Sequence, residues 1–277
     1  MLEPFVSQPI PWLAVVLAIL SAFLMGFGRS GLGTGGFIAS PLMVFAIGAV
    51  NGVAVVALLM LPAALLGVWQ HRAGARRTLL LPLLPSAAIG TAIGGLILWG
   101  LVSSGEEAEV HRRLELLVAL LCLVYGLLLV LRDRLAHLGG GAGAPRASGL
   151  VLMGSAVGIS QTVSNTGSPL MTLYFLRHGL NRGTFVPAQL SYMLVQNILK
   201  LIPLISLGLL TPINATAGFI LIPVTLAGSL AGKRFFLKAS ETQFVRLYVL
   251  LLVMGFAVSL GLLIGRLPCL RVLDTLF

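Results

Sequence analysis

Apolar runs recur along almost the whole chain, with short interruptions between them. They cover about residues 11–27, 36–50, 53–69, 79–102 and 114–131, and resume at 150–159, 169–176, 184–206, 213–231 and 244–264. A helix needs about 20 apolar residues to cross a bilayer, and a chain that keeps returning to such runs leaves no stretch for a separate soluble domain. With 58% hydrophobic and 9% charged residues, the expected fold class is an all-α polytopic membrane protein. A secretory signal would be one short apolar run followed by polar sequence, which is not the pattern here.

The net charge of +10 does not point to nucleic acid. Its basic residues fall in short clusters between apolar runs, "HRAGARR" (71–77), "RHGLNR" (177–182) and "GKRFFLK" (232–238), instead of forming a patch with interleaved aromatics. They read as cytoplasmic loops, because lysine and arginine are retained on the inner side. The partners expected are therefore the lipid bilayer and no nucleic acid. Cys122 and Cys269 stand alone, so no disulfide, metal or cofactor is expected.

Two motifs recur in the same order in the two halves. "TGGFIASPLM" aligns with "TVSNTGSPLM", so that Thr34, Ser40, Pro41, Leu42 and Met43 meet Thr162, Ser168, Pro169, Leu170 and Met171. Pro85, Gly90 and Gly94 share their spacing with Pro223, Gly228 and Gly232. An internal duplication is expected, with a first membrane repeat at 1–132, a cytoplasmic linker at 133–149 in the Gly-rich "RDRLAHLGGGAGAPRASG" stretch, and a second membrane repeat at 150–277. The basic loop at 71–77 has an uncharged counterpart at 206–214, and the uncharged region near Asn51 has a basic counterpart at 177–182. Each repeat, of about five transmembrane or re-entrant segments, is thus expected to be inverted relative to the other. Both termini lie outside and the linker inside, with Arg266 and Arg271 as the exceptions on the external side.

Two stretches interrupt the apolar pattern, "GRSGLGTGGFIASPLM" (28–43) and "SQTVSNTGS" (160–168). Short, Gly- or Pro-interrupted segments in matching places of two inverted halves point to a transporter site at the midplane, built from broken helices. Backbone freed at that depth must line a cavity or be buried in protein. Gly31, Gly33, Gly35 and Gly36 let it approach a ligand, Pro41 and Pro169 suit the first turn of the following half-helix, and Ser40 and Ser168 are placed to cap it. A helix N-terminus favours a small anion. Arg29 adds a full charge at the edge of the first break, where it contacts substrate, snorkels to a headgroup or bonds a carbonyl of the unwound stretch. In the second break Gln161, Thr162, Ser164, Asn165, Thr166 and Ser168 are either donors to a substrate or members of a hydrogen-bonded helix hairpin.

Further on, "QNILK" places Gln196, Asn197 and Lys200 along one helical face, with Lys200 far from either end of its run. Gln70 and His71 occupy the corresponding region of the first half, although His71, like His178, reads as an interfacial loop residue. The carboxylates Glu3, Glu106, Glu107, Glu109, Glu115, Asp133, Glu241 and Asp274 all fall in loops or at segment ends. Without an intramembrane carboxylate a cation carrier is disfavoured. An anion fits, since its export across an inside-negative membrane is favoured by about 2.3 kcal/mol per charge per 100 mV.

"GLGTGGFIASPLM", the second-half "SPLM" and "QNILK" resemble, in order and over nearly the whole chain, the sulfite exporter TauE/SafE family of bacterial membrane permeases. The resemblance implies a multi-pass carrier in the bacterial inner membrane that exports sulfite, sulfoacetate or another organosulfonate. It assigns Gly31, Gly33, Gly35, Gly36 and Pro41 to the family's signature loop, and Asn197 and Lys200 to its polar helix. Thr34 stands within what is often an unbroken glycine triplet, which leaves the exact substrate open. The expected function is a secondary transporter working by alternating access, with an anion or small-solute channel and a non-transporting scaffold as the other readings. No enzyme is expected, because no catalytic constellation falls at membrane depth. The expected substrate contacts are Arg29, Gly33, Thr34, Gly35, Gly36, Ser40, Gln161, Ser164, Asn165, Thr166, Ser168, Asn197 and Lys200. Oligomeric state is open, a homodimer included.

Overall fold

A computed structural model of the chain describes residues 11–71, 77–103, 107–130 and 146–264, all helical apart from short turns. The core of the basic loop at 72–76, most of the linker, Glu3, Glu106, Asp133, Asp274, Arg266, Arg271 and Cys269 lie outside the described residues. The first half contains α1 (Pro11–Leu32), α2 (Gly36–Ile47), α3 (Ala49–His71), α4 (Arg77–Ser103) and α5 (Glu107–Val130). In the second half follow α6 (Ala147–Ser164), α7 (Ser168–Arg177), α8 (Arg182–Leu199), α9 (Leu201–Ser206), α10 (Pro212–Lys238) and α11 (Glu241–Ile264). Seven stretches of the described residues are long and apolar enough to cross a membrane, counting Arg182–Ser206, which joins α8 to α9, as one. This is a multi-pass, all-helical membrane protein. Trp12, Trp69 and Trp99 are exposed near the ends of α1, α3 and α4, as expected for indoles at a headgroup boundary.

Each half begins with a long helix, a three-residue break and a helix too short to span. At 12 and 10 residues, α2 and α7 are only about 18 and 15 Å long. The chain reverses at both breaks and again at Gly48, whose φ of 82° needs a residue without a Cβ.

Packing between halves is reciprocal: α1 lies along α10, and α6 lies along α4. Glycine permits both crossings. A Cβ on Gly228 or Gly232 would overlap the Phe23 or Phe27 carbonyl of α1, and one on Gly158 would stand 2.9 Å from the Gly90 Cα. Lipid supplies no hydrophobic drive between helices, so this backbone contact is where their association energy comes from. The Gly90/Gly94 and Gly228/Gly232 pairs noted in the sequence are the two crossing points. Ala14, Ala18 and Ala22, one per turn of α1, are buried in a core with Ala39, Met43, Leu59 and Met60.

Several local expectations are corrected. Helix α1 runs through Ser30 to Leu32, so Arg29 lies in its last turn, at the edge of the break as expected. Helix α2 begins one turn before its SPLM copy, which puts Pro41 inside the helix, whereas Pro169 does lie in the first turn of α7. Proline at 41 cannot donate to the Phe37 carbonyl, and the buried Cys122 thiol approaches that oxygen at 3.8 Å. Neither Ser40 nor Ser168 caps its helix: the N-caps are Gly35 and Gly167, with no side-chain cap bond at either. Lys200 stays within one long apolar span, Arg182–Ser206, as expected, but it marks the joint where α8 gives way to α9, because Pro203 cannot supply the N–H for the Leu199 carbonyl. His71 is the last residue of α3 and not a loop residue, and it is buried: its Nε2 lies 3.0 Å from the Ser30 carbonyl and its ring stands edge-on to Phe236.

The basic segments that are described gather at one end of the bundle. Lys233 Nζ donates to the Gln70 carbonyl at 2.9 Å, Arg182 Nη2 donates to the Ala239 carbonyl at 2.6 Å, and both cations lie over the Phe236 ring.

Candidate functional site

The two breaks touch. In the first, Gly33 takes φ 75° and the Thr34 N–H turns back to the Gly28 carbonyl at 3.0 Å. In the second, Asn165 takes φ 62°, a left-handed conformation that asparagine tolerates better than other side chains. Thr34 Oγ1 and Ser168 Oγ share a hydrogen bond of 2.5 Å, and Ser40 Oγ donates to the Ser164 carbonyl at 2.7 Å. A Cβ on Gly36 would overlap the Asn165 carbonyl oxygen. Thr34, Gly35, Gly36 and Ser40 therefore meet Ser164, Asn165, Thr166 and Ser168 in one buried cluster.

Lys200 reaches this cluster from α8. Its Nζ donates to Asn165 Oδ1 at 2.6 Å, while Asn165 Nδ2 donates to the Val53 carbonyl at 3.0 Å. Gln161 accepts from the Gly167 N–H at 3.0 Å, and its Nε2 points at Met60 Sδ. Asn197 Nδ2 makes a long bond to the Met60 carbonyl, and its Oδ1 finds no partner among the described residues. Gln196 turns away to Thr162 Oγ1 and the Gly158 carbonyl, so the polar face of "QNILK" divides between two neighbours.

Not every candidate donor is free. Ser164 donates to the Ser160 carbonyl and shares a bond with Thr166, which is the hairpin reading of those two residues. The hydroxyls of Thr34, Ser40 and Ser168 join one break to the other. Gly33 packs beside Val186 and Gln189.

Arg29 differs from all of these. Its backbone N would lie 3.2 Å from a Cβ on Gly35, so it borders the first break. The side chain is completely buried, and Nε, Nη1 and Nη2 have no hydrogen-bond partner among the described residues. Lys200 is also completely buried. No buried carboxylate accompanies them among the described residues. An isolated buried cation costs several kcal/mol in desolvation, and each unmade bond at a buried donor costs about 1–3 kcal/mol. Two such cations with no counter-charge favour a bound anion. The first-turn N–H groups of α2 and α7, uncapped by side chains, add partial positive charge where the two breaks meet Lys200.

A separate cavity of about 400 Å³ opens between Ala88–Trp99 of α4 and Leu199–Leu207 of α8 and α9, but apart from Thr91 and Ser206 its lining is apolar, and neither buried cation belongs to it. Residues unmarked in the sequence also serve the cluster. Gln189 donates to the Ser168 carbonyl and accepts from Thr172, holding the first turn of α7. Met60 contacts Gln161 and Lys200 together.

Interrupted helices that meet around buried, uncompensated cations define a class: multi-pass membrane proteins whose polar centre is assembled from two half-chains. The chain belongs to the sulfite exporter TauE/SafE family, whose profile it matches over residues 18–260, nearly the whole length. It is thereby placed among membrane transporters. No curated protein and no solved structure matches it.

Proposed function

We propose that the chain is a secondary transporter of the bacterial inner membrane that exports sulfite, sulfoacetate or a related organosulfonate, holding the anion where the two breaks meet. The observation that carries this reading is Arg29: a fully buried guanidinium whose three nitrogens have no partner among the described residues, at the edge of a break whose partner break holds the buried Lys200. In the proposal these two cations bind the oxyanion. Backbone N–H groups around Gly33, Gly35, Gly36 and Ser168 supply further donors, Gln161, Asn165 and Asn197 orient it, and Thr34, Ser40, Ser164 and Thr166 hold the breaks in register.

Alternating access would come from inverted repeats at 1–132 and 150–277 rocking about this fixed site. The reciprocal packing of α1 on α10 and α6 on α4 supports that symmetry. Clustering of Gln70, Arg182 and Lys233 at one end supports a cytoplasmic face there, with both termini outside. Binding is tested by thermal unfolding of purified protein with sulfite, sulfoacetate, sulfate or glycerol, repeated for Lys200→Met. Stabilisation by sulfite or a sulfonate, absent with glycerol and lost in the variant, is the expected result. Unfolding insensitive to every anion would overturn the reading in favour of a scaffold.

A further inference from the structure

Met60, on α3, is completely buried where α2, α6 and α8 come together. Gln161 Nε2 and Lys200 Nζ each stand 3.1 Å from its Sδ, while Asn197 Nδ2 lies 3.4 Å from its carbonyl oxygen. Its Cε occupies the space that a side chain at position 36 would fill. Two nitrogen donors, one carrying a full charge, thus converge on a thioether. Sulfur is a weak acceptor, and the remaining partner of the ammonium is Asn165 Oδ1. A charged oxygen placed at the sulfur position would make stronger, charge-assisted bonds with both donors. Methionine is also the side chain best able to withdraw, being unbranched with three rotatable bonds and easily repacked.

We propose that Met60 is the residue a bound anion displaces: its thioether stands where a substrate oxygen bonds Lys200 and Gln161, and its bulk sets the size of anion admitted there. The inference rests on the reading of the two breaks as an anion site, and it adds a specificity-determining residue that carries no charge.

The test titrates sulfite, methanesulfonate and propanesulfonate into the full-length protein and into the Met60→Leu and Met60→Ala variants. Leucine keeps the volume and removes the acceptor, a substitution that cores tolerate. Because sulfite no longer competes with sulfur, Met60→Leu binds it roughly three- to tenfold more tightly. Met60→Ala clears about three heavy atoms and moves the preference toward propanesulfonate over methanesulfonate by about tenfold. With methyl-labelled methionine, the resonance lost in Met60→Leu shifts when sulfite is added to the unmodified chain. Sulfite binding that is unchanged or weaker in Met60→Leu, together with an unaltered size preference in Met60→Ala and a stationary methyl resonance, overturns the inference and leaves the anion site standing. Absence of binding by any of the three anions to the unmodified chain overturns the anion site itself, and this inference with it.

Discussion

Replacing Arg29 by methionine separates a ligand-binding arginine from one that holds the fold together. The guanidinium is completely buried, with Nε, Nη1 and Nη2 unpartnered among the described residues, so without an anion it carries its desolvation cost uncompensated. Exchanging a buried ion pair or triad for apolar residues of similar volume is often neutral or stabilising by about 1–4 kcal/mol, and removing a buried guanidinium with no partner among the described residues acts in the same direction. At about 2–4 °C per kcal/mol for a chain of roughly this size, unliganded Arg29→Met should melt with the parent protein or up to about 16 °C above it. Sulfite at a hundred times its dissociation constant stabilises the parent by about 2.7 kcal/mol, and the variant should lose that response. The assay is thermal unfolding in detergent with and without sulfite. A variant that melts below the parent and still responds fully to sulfite would refute the reasoning, since Arg29 would then be a structural donor.

Three further perturbations test the framework around the site. Removing the hydrogen bond between the breaks by Thr34→Val and Ser168→Ala, singly and together, should give a coupling of about 0.5–1.5 kcal/mol in a double-mutant cycle of unfolding free energies; additive losses would mean that the contact contributes nothing. Asn165→Gly keeps the left-handed backbone and loses both side-chain bonds, whereas Asn165→Ala also pays about 1–2 kcal/mol for φ 62°, so the alanine variant should unfold first; equal stabilities would show that the turn relaxes. Gly228→Ala drives a methyl into the α1 backbone and should cost more than about 3 kcal/mol or abolish folded expression, while Gly100→Ala, with open space around it, should be neutral; comparable yields of folded protein from both would contradict the tight crossing of α1 and α10.

The positions of the breaks were legible because a glycine-rich stretch cannot continue an apolar helix cheaply and a matching polar stretch recurs in the second half. So was the buried lysine, whose place within a long apolar run excluded an exposed loop. What the sequence hid is tertiary. Ser40 and Pro41 read as a helix start, yet α2 packs through one earlier turn and turns the serine toward Ser164. His71 belongs to a basic cluster by sequence, but its burial comes from Ser30 and Phe236, 41 and 165 positions away in the chain. Met60 carries no polar signal at all. Its role at the cluster exists only because α6 and α8 aim two nitrogen donors at one sulfur.

A carrier, unlike a channel, exposes one anion site alternately to the two sides of the membrane. Counterflow of radiolabelled sulfite in proteoliposomes tests it most directly. Vesicles loaded with unlabelled sulfite should accumulate label transiently above equilibrium, and Arg29→Met and Lys200→Met vesicles should not. Label that only equilibrates, at a rate indifferent to internal sulfite, would mean a channel, and no uptake at all by stably reconstituted protein would contradict the account.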